Sequence, residues 1–345
     1  NKLFFSEHHL SHAASAFYPS PFDEAIILTL DGVGEWATST ISYGKENRIK
    51  ILEEIHYPHS LGLLYSAFTF YLGFKVNSGE YKLMGLAPYG KSKYKDTILK
   101  HLIDVKEDGS FLLNQDYFNY ATGLTMTNDK FEKLFGQKVR DSRKDTITNF
   151  HMDIAASIQE VTEEIVLKIC KFVKSEYKIE NLCLAGGVAL NCVVNGLIQK
   201  KNIFKNIWIQ PASGDAGGSI GSALAVWYMH LKNKRNLEKH DEMSGAYLGP
   251  DFTSDYIKKS LNNLGAKYTV YDRNSMLKFV AKTISKGSAV GWFQGRMEFG
   301  PRALGARSII ADPRSNKMQK NLNLKVKFRE SFRPFAPSVI REEVS

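Results

Sequence analysis

The sequence predicts an α/β protein: a nucleotide-binding type of domain followed, after a charged linker, by a second and smaller α/β domain. Three observations carry this. An apolar, β-branched run at residues 25–30 stops at Asp31-Gly32-Val33-Gly34, which reads as a buried strand closed by a tight turn, with an acid at the strand's end. Two strand, glycine turn, helix units follow one another at residues 182–200 and 207–230, a repetition expected of α/β nucleotide-binding architectures. Between residues 230 and 249 the composition turns charged and loop-like, and helical and strand patterns resume beyond it.

The elements follow in chain order. Ser6 is placed to cap a short helix that carries His8, His9 and His12. Residues 38–43 and 49–55 flank the polar Gly44-Lys45-Glu46-Asn47 and predict a hairpin continuing the sheet. Residues 61–74 read as an apolar helix, 77–90 as a polar glycine-rich stretch and 91–144 as an insertion. Ile154, Ile158, Val161, Ile165, Ile169 and Val173 recur at helical spacing, so residues 153–174 should pack on the sheet. The expected domains are residues 1–235 and 253–345, joined by a linker at 236–252. The second offers an amphipathic helix at 254–264, a strand at 268–271, a helix at 275–285 and a strand at 289–293.

Composition narrows the class. The chain of 345 residues has 43% hydrophobic and 24% charged residues, with 26 glycines and 10 prolines, which excludes collagen, coiled coil and disorder. No run reaches the roughly 18 to 20 apolar residues that a bilayer span needs, so no membrane role is expected. Cys170, Cys183 and Cys192 lack C-x-x-C spacing, which points away from disulfides and cysteine zinc sites and towards a reducing, cytoplasmic setting. A net charge of +10 suits nucleic acid, anionic cofactors or phosphorylated substrates alike, and the lysine runs at 91–100, 200–205 and 232–239 read as solvated faces. Asn1 lies almost at once inside a motif and Ser345 follows a proline-rich segment, so both ends read as cut.

His8 and His12 stand four apart, so on a helix both imidazoles share one face and can chelate one cation; packing is the plainer reading of such a pair. Asp31 at a strand end and Asp215 in a glycine turn are carboxylates where α/β sheets hold ligands. Two histidines and two aspartates suit divalent iron, manganese or zinc better than calcium or magnesium. Gly32 and Gly34, Gly186 and Gly187 with Asn191, and Gly217 with Gly218 together suggest a phosphate cradle for ATP, although no P-loop occurs and each alone is also an ordinary turn. Lys82 adds a cation beside Gly79 and Glu80, in what otherwise reads as a surface loop. In the second domain Arg302, Lys327 and Arg329 lie among glycine, proline and aromatics, a composition for a small polyanion pocket. Single-stranded nucleic acid is the competing ligand; the lack of any recognisable nucleic-acid motif argues against it.

At this point the strings HHLSHAASAFYPSPFDEAIILTLDGVGEWATS, SGEYKLMGLAPYG, LAGGVALNCVVNG, SGDAGGSIGSAL, GRMEFGPRALGARSIIADPR and VKFRESFRPFAP resemble the NodU/CmcH O-carbamoyltransferases. The resemblance runs nearly end to end and is weak only at 91–144 and the linker. It implies an ASKHA-type domain (actin-like ATPase, ribonuclease H-like), similar to the tRNA threonylcarbamoyl-transfer domain, followed by a YrdC-like domain. It implies that carbamoyl phosphate and ATP give carbamoyl-adenylate in the second domain, and that a small hydroxylated acceptor takes the carbamoyl group in the first, releasing AMP. By resemblance His8, His12, Asp31 and Asp215 match metal ligands, with iron(II) the expected ion, manganese or zinc the alternatives, and magnesium accompanying ATP. Arg302 matches a carbamoyl-phosphate or nucleotide contact, Lys327 and Arg329 match a K-x-R signature, and Asp116 matches an acid near the acceptor pocket. Family members begin before Asn1 and continue past Ser345, so the chain resembles a fragment lacking the first strands and the end of the second domain. Threonylcarbamoyl-type transfer to tRNA and a non-catalytic nucleotide- or RNA-binding module are the alternative functions. An oligomer is compatible with the sequence.

Overall fold

A computed structural model describes residues 3–237 and 240–343, and the chain divides into two compact units, Asn1–Glu242 and Met243–Ser345. Of the expected linker, residues 238 and 239 lie outside the described residues.

The first unit is mixed α/β. Its helix α1 (His8–Phe17) precedes strand β1 (Glu24–Leu30) and a hairpin of β2 (Ala37–Lys45) and β3 (Arg48–His56), closed by Glu46 and Asn47. Helices α2 (Leu61–Tyr71), α3 (Glu80–Leu86) and α4 (Lys95–His101) follow, then the small antiparallel pair β4 (Ile103–Val105) and β5 (Phe111–Leu113), helix α5 (Asp129–Phe135) and the long α6 (Asn149–Tyr177). Strand β6 (Asn181–Ala185), helix α7 (Cys192–Lys200), strand β7 (Asn206–Ile209) and helix α8 (Asp215–Ala225) complete it. Among the described residues these strands make a five-stranded sheet ordered β3-β2-β1-β6-β7. β1 runs antiparallel to β2 and parallel to β6, and β6 runs parallel to β7.

β1 is apolar on both faces from Ala25 to Leu28 and again at Leu30, with Thr29 buried among them, because it is the middle strand, where alternation has no purpose. α6 places Ile154, Ile158, Val161, Ile165, Ile169 and Val173 in the interior, as their spacing predicts. The segment 91–144 is not a loose insertion: Phe131 and Phe135 of α5 join Phe68 and Tyr71 of α2 in an aromatic cluster, with ring centroids 5.0–5.8 Å apart. Asp153, near the start of α6, is buried and ties this region down, accepting the Lys91 N–H at 2.8 Å and pairing with Lys93 at 2.6 Å. Burial pushes its carboxyl up, but those two partners outweigh it and hold it below the ordinary range. A lowered carboxyl stabilises the fold above its ordinary titration range, and the contribution disappears as pH falls through the lowered value. Asp153→Asn should therefore flatten the acid limb of the stability curve, read as urea midpoints across about pH 3 to 7.

The second unit holds α9 (Ser254–Asn263), α10 (Arg273–Ser285), an antiparallel pair β8 (Val290–Phe293) and β9 (Arg307–Ile310), and the short α11 (Met318–Asn321). Among the described residues no helix is long and apolar enough to cross a membrane.

Four local expectations are corrected. Residues 77–90 are not a polar loop: Glu80 gathers the N–H groups of Asn77 and Gly79 and the Ser66 hydroxyl within 3.0 Å, nucleating α3, which buries Leu83 and Leu86. Residues 268–271 form no strand, since β propensity acts only against a neighbouring ladder. Instead the Tyr268 hydroxyl donates to Asn262, and Tyr271 stacks on Phe279. In the strand, turn, helix unit at 207–230 the helix takes over the expected glycine turn, with Asp215 as its first residue, and ends at Ala225 in a π-helical turn, Val226–His230. Ser6 does not cap α1; the residue before the helix is Glu7, without a side-chain cap.

Candidate metal centre

Four side chains from three elements converge. α1 presents His8 and His12 one turn apart, β1 delivers Asp31 just beyond its carboxyl end, and α8 begins with Asp215. Asp31 Oδ2 lies 2.8 Å from His8 Nε2 and 2.9 Å from His12 Nε2, and the two imidazole nitrogens are 3.0 Å apart. Asp215 Oδ1 stands 3.6 Å from His8 and 3.7 Å from His12. One ligand atom from each residue falls within 4.8 Å of all the others.

The sequence builds this from backbone outwards. Asp31 Oδ1 accepts the Gly187 N–H at 3.0 Å, so the glycine turn after β6 orients the carboxylate. That turn needs a residue without a Cβ: Gly186 has φ +87°, and a Cβ there would meet the Leu30 carbonyl. Ser60 fixes the turn after β1, its hydroxyl 3.0 Å from the Asp31 carbonyl oxygen and 2.6 Å from that of Gly32. Both Glu35 carboxylate oxygens accept the His8 N–H, at 3.1 and 3.2 Å, so a carboxylate distant in sequence does at the helix start what Ser6 was expected to do. α1 and α8 touch at Gly221, where a Cβ would fall on the Ser11 carbonyl oxygen.

The electrostatics match a cation site. Burial pushes the Asp31 carboxyl up, but hydrogen bonds from His12 and His8 and the Gly187 N–H overcome it and hold the group well below the usual carboxylate range. The hydrogen bond to Asp31 raises His8 against the opposing effect of burial. His9 faces away from the set: its Nδ1 lies 2.7 Å from the buried Thr29 hydroxyl, and burial pushes the ring down to about 4. Asp215 is the open member, with 82% of its side chain exposed. Five of the six donor separations, 2.8–3.7 Å, bracket the edge, about 3.3 Å, of a tetrahedron with metal-ligand bonds of about 2.0–2.1 Å, and the sixth, between Asp31 and Asp215, is within 4.8 Å. Two imidazoles and two carboxylates thus fit a divalent transition metal by number, chemistry and spacing.

The expected nucleotide residues surround this set unevenly. Gly32, Gly186 and Gly187 shape the turns that hold Asp31, and Gly34 backs onto His8 and His9. Asn191 spends its side chain on α7, accepting the Val194 N–H, and on a buried amide pair with Gln159. Gly217 and Gly218 lie in the first turn of α8, the latter beside open space. Lys82 sits on α3, its ammonium 5.8 Å from the Phe74 ring centroid. Asp116 lies in the short turn Gln115–Tyr117 and pairs with Lys130 at 2.9 Å, both exposed.

In the second unit Arg302 is exposed on the loop following Phe299, a loop drawn into shape by Glu298, whose Oε1 accepts the N–H groups of Leu304, Ala306 and Arg307. Lys327 and Arg329 share another turn. Lys327 is exposed, whereas Arg329 is half-buried, bonded to Asn323 at 2.7 Å and set over Phe335. Sequence reasoning missed Glu35, Ser60, Gln159 and Gly221. Only the last left a signal, the small residues Gly217, Gly221 and Ala225 repeating every fourth position along one buried face of α8.

Comparison with known proteins agrees on one family. Residues 1–224 match the family model described as carbamoyltransferase N-terminus, and residues 281–345 match carbamoyltransferase C-terminus. An uncharacterized protein of Synechocystis sp. is 61% identical over 99% of this chain and 56% of its own length. Nodulation protein NolNO of Sinorhizobium fredii is 36% identical over 100% of this chain and 48% of its own. Nodulation protein NolO of Bradyrhizobium diazoefficiens is 34% identical over 98% and 59%. The chain thus spans about half the length of these relatives. Among solved structures, T. kodakarensis HypF matches with a TM-score of 0.41 at 15% identity, over 69% of this chain and 38% of that one. With the N-terminal model matching residues 1–224 of 345 and the C-terminal model following it, the chain belongs to the carbamoyltransferase family.

Proposed function

We propose that this chain belongs to an O-carbamoyltransferase that uses carbamoyl phosphate and ATP, through carbamoyl-adenylate, to carbamoylate a hydroxyl of a sugar or similar metabolite. The observation that carries this is the convergence of His8, His12, Asp31 and Asp215 within a chain that matches both halves of the family. The sheet order β3-β2-β1-β6-β7, an antiparallel hairpin beside parallel strands, supports an ASKHA-type reading of the first unit. The second unit, read as YrdC-like, would make the adenylate.

In the first half-reaction water hydrolyses carbamoyl phosphate to carbamate and inorganic phosphate, the carbamate oxygen then bonds to the α-phosphorus of magnesium-bound ATP, and the bond to the β-phosphate breaks so that pyrophosphate leaves. Arg302, Lys327 and Arg329 neutralise the charge of the phosphoryl and carbamoyl groups. In the second, the acceptor oxygen bonds to the carbamoyl carbon, its proton is lost and AMP departs. His8, His12, Asp31 and Asp215 would hold a divalent ion, iron(II) in this reading, which would supply Lewis acidity and a template for the nucleotide phosphate. The exposed carboxylate of Asp215 faces the arriving ligand, and the buried Asp31 and His12 give the set its rigidity.

The test needs no acceptor. The full-length protein, incubated with ATP and carbamoyl phosphate, is expected to release pyrophosphate and form carbamoyl-adenylate detectable by mass spectrometry, and Lys327→Ala is expected to form none. A folded, metal-loaded protein that makes no adenylate overturns the reading.

A further inference from the structure

α1 carries two of the four metal donors, and its terminal carbonyls, like those of any helix, have no partner within the helix itself. A side chain 218 residues further along reaches the last of them, the Phe17 carbonyl, which also accepts from Ser20, and the carbonyls of the exit loop. Arg235 Nη2 donates to the carbonyls of Phe17 at 3.0 Å, Tyr18 at 3.1 Å and Ser20 at 2.8 Å, and Nη1 donates to Phe22 at 2.9 Å. Its guanidinium carbon lies 4.4 Å from the centroid of the Phe17 ring, and the residue is only 9% exposed. Two residues before Phe17, the Gln210 amide donates to the Ser15 carbonyl.

Burying a guanidinium is costly unless its hydrogen bonds are made, and four carbonyls of the helix end and its exit loop supply them to Nη1 and Nη2, while the buried Nε has no hydrogen-bond partner among the described residues. Residues 232–237 form no helix or strand, so the arginine does not serve the local structure of its own segment. We infer that Arg235 is a positioning residue for the metal centre, a clamp on the C-terminal end of α1 that fixes the helix along its axis and in rotation so that His8 and His12 meet Asp31 and Asp215. The geometry leaves little slack: slipping α1 by one residue moves it about 1.5 Å and turns it by about 100°, against separations of 2.8–3.7 Å from His8 and His12 to the two carboxylates. Glu35 at the helix start and Arg235 at its end therefore act as a pair. The inference rests on the metal reading above.

Cobalt(II) titration of the full chain, followed by its visible d–d bands, tests it. Wild type is expected to bind with a low-symmetry nitrogen and oxygen spectrum that His12→Ala loses. Arg235→Met is expected to keep the far-UV circular dichroism of wild type, bind cobalt at least about tenfold more weakly, in the range of substitutions that orient metal ligands, and show altered bands. Arg235→Lys, a point charge without the planar fork, is expected to fall between them, and it decides the matter should Arg235→Met not fold. Val173→Ala, which opens a cavity under α6 and leaves α1 untouched, serves as the control for stability alone and is expected to bind cobalt as wild type does. Wild-type affinity and bands in Arg235→Met, or an equal loss in Val173→Ala, overturn the inference while the metal reading stands. A wild type that binds no cobalt overturns both.

Discussion

His12→Ala is expected to lower the affinity for a divalent transition metal by more than about 100-fold, since substitutions that merely orient a ligand already cost about 10- to 100-fold. The effect should exceed that of His8→Ala. His12 is 1% exposed, whereas the His8 side chain is 31% exposed and water can replace it. The truncation also strips a hydrogen bond from Asp31, leaving it His8 and the Gly187 N–H. A buried carboxylate short of a donor costs about 1–3 kcal/mol, so the urea midpoint should fall as well. Isothermal titration with manganese or cobalt separates the two effects: a folded His12→Ala that binds either metal with wild-type affinity would rule out these four residues as the metal site.

Gly221→Ala sets two magnitudes against each other. Alanine in place of glycine in a helix interior gains about 1 kcal/mol of helix propensity. Here the new Cβ would coincide with the Ser11 carbonyl oxygen, an atom of the α1 backbone that cannot swing aside. Overpacking of this kind costs about 1–3 kcal/mol, and relief requires α8 to move away from α1, carrying Asp215 from His8 and His12. The expected result is a lower melting temperature together with weakened metal binding. A variant that melts higher and binds metal normally would show that the two helices are not in backbone contact at Gly221.

Much of this was legible in the sequence, for identifiable reasons. β1 declared itself because a strand buried on both faces carries a nearly unbroken apolar run, and α6 because six aliphatic residues keep helical spacing over some twenty positions. His8 and His12 were readable as a pair because their spacing is local, and Asp31 because an acid ending a buried strand is conspicuous. What escaped were interactions whose partners are far apart. Nothing near Arg235 marks it as other than one more cation in a charged stretch, and nothing near Glu35 marks it as the residue that receives the His8 N–H. The segment 268–271 failed in the opposite sense: its composition is right for a strand, but a strand depends on a neighbour that its own residues do not specify.

The Gly187 N–H that steadies Asp31 comes from 156 residues away, whereas His12 reaches the same carboxylate across 19. The centre therefore joins a short loop to a very long one, and closing the long one carries the larger entropic cost. α1 and β1 are near neighbours in the chain, whereas the turn that orients the carboxylate follows β6, which pairs with β1, and the fourth donor lies further along still, on α8. A chain that has formed its helices and hairpin but not its parallel strands would have two imidazoles and a loosely held acid. On the proposed metal reading, loading would therefore discriminate the native first unit from its partly folded forms without any separate device.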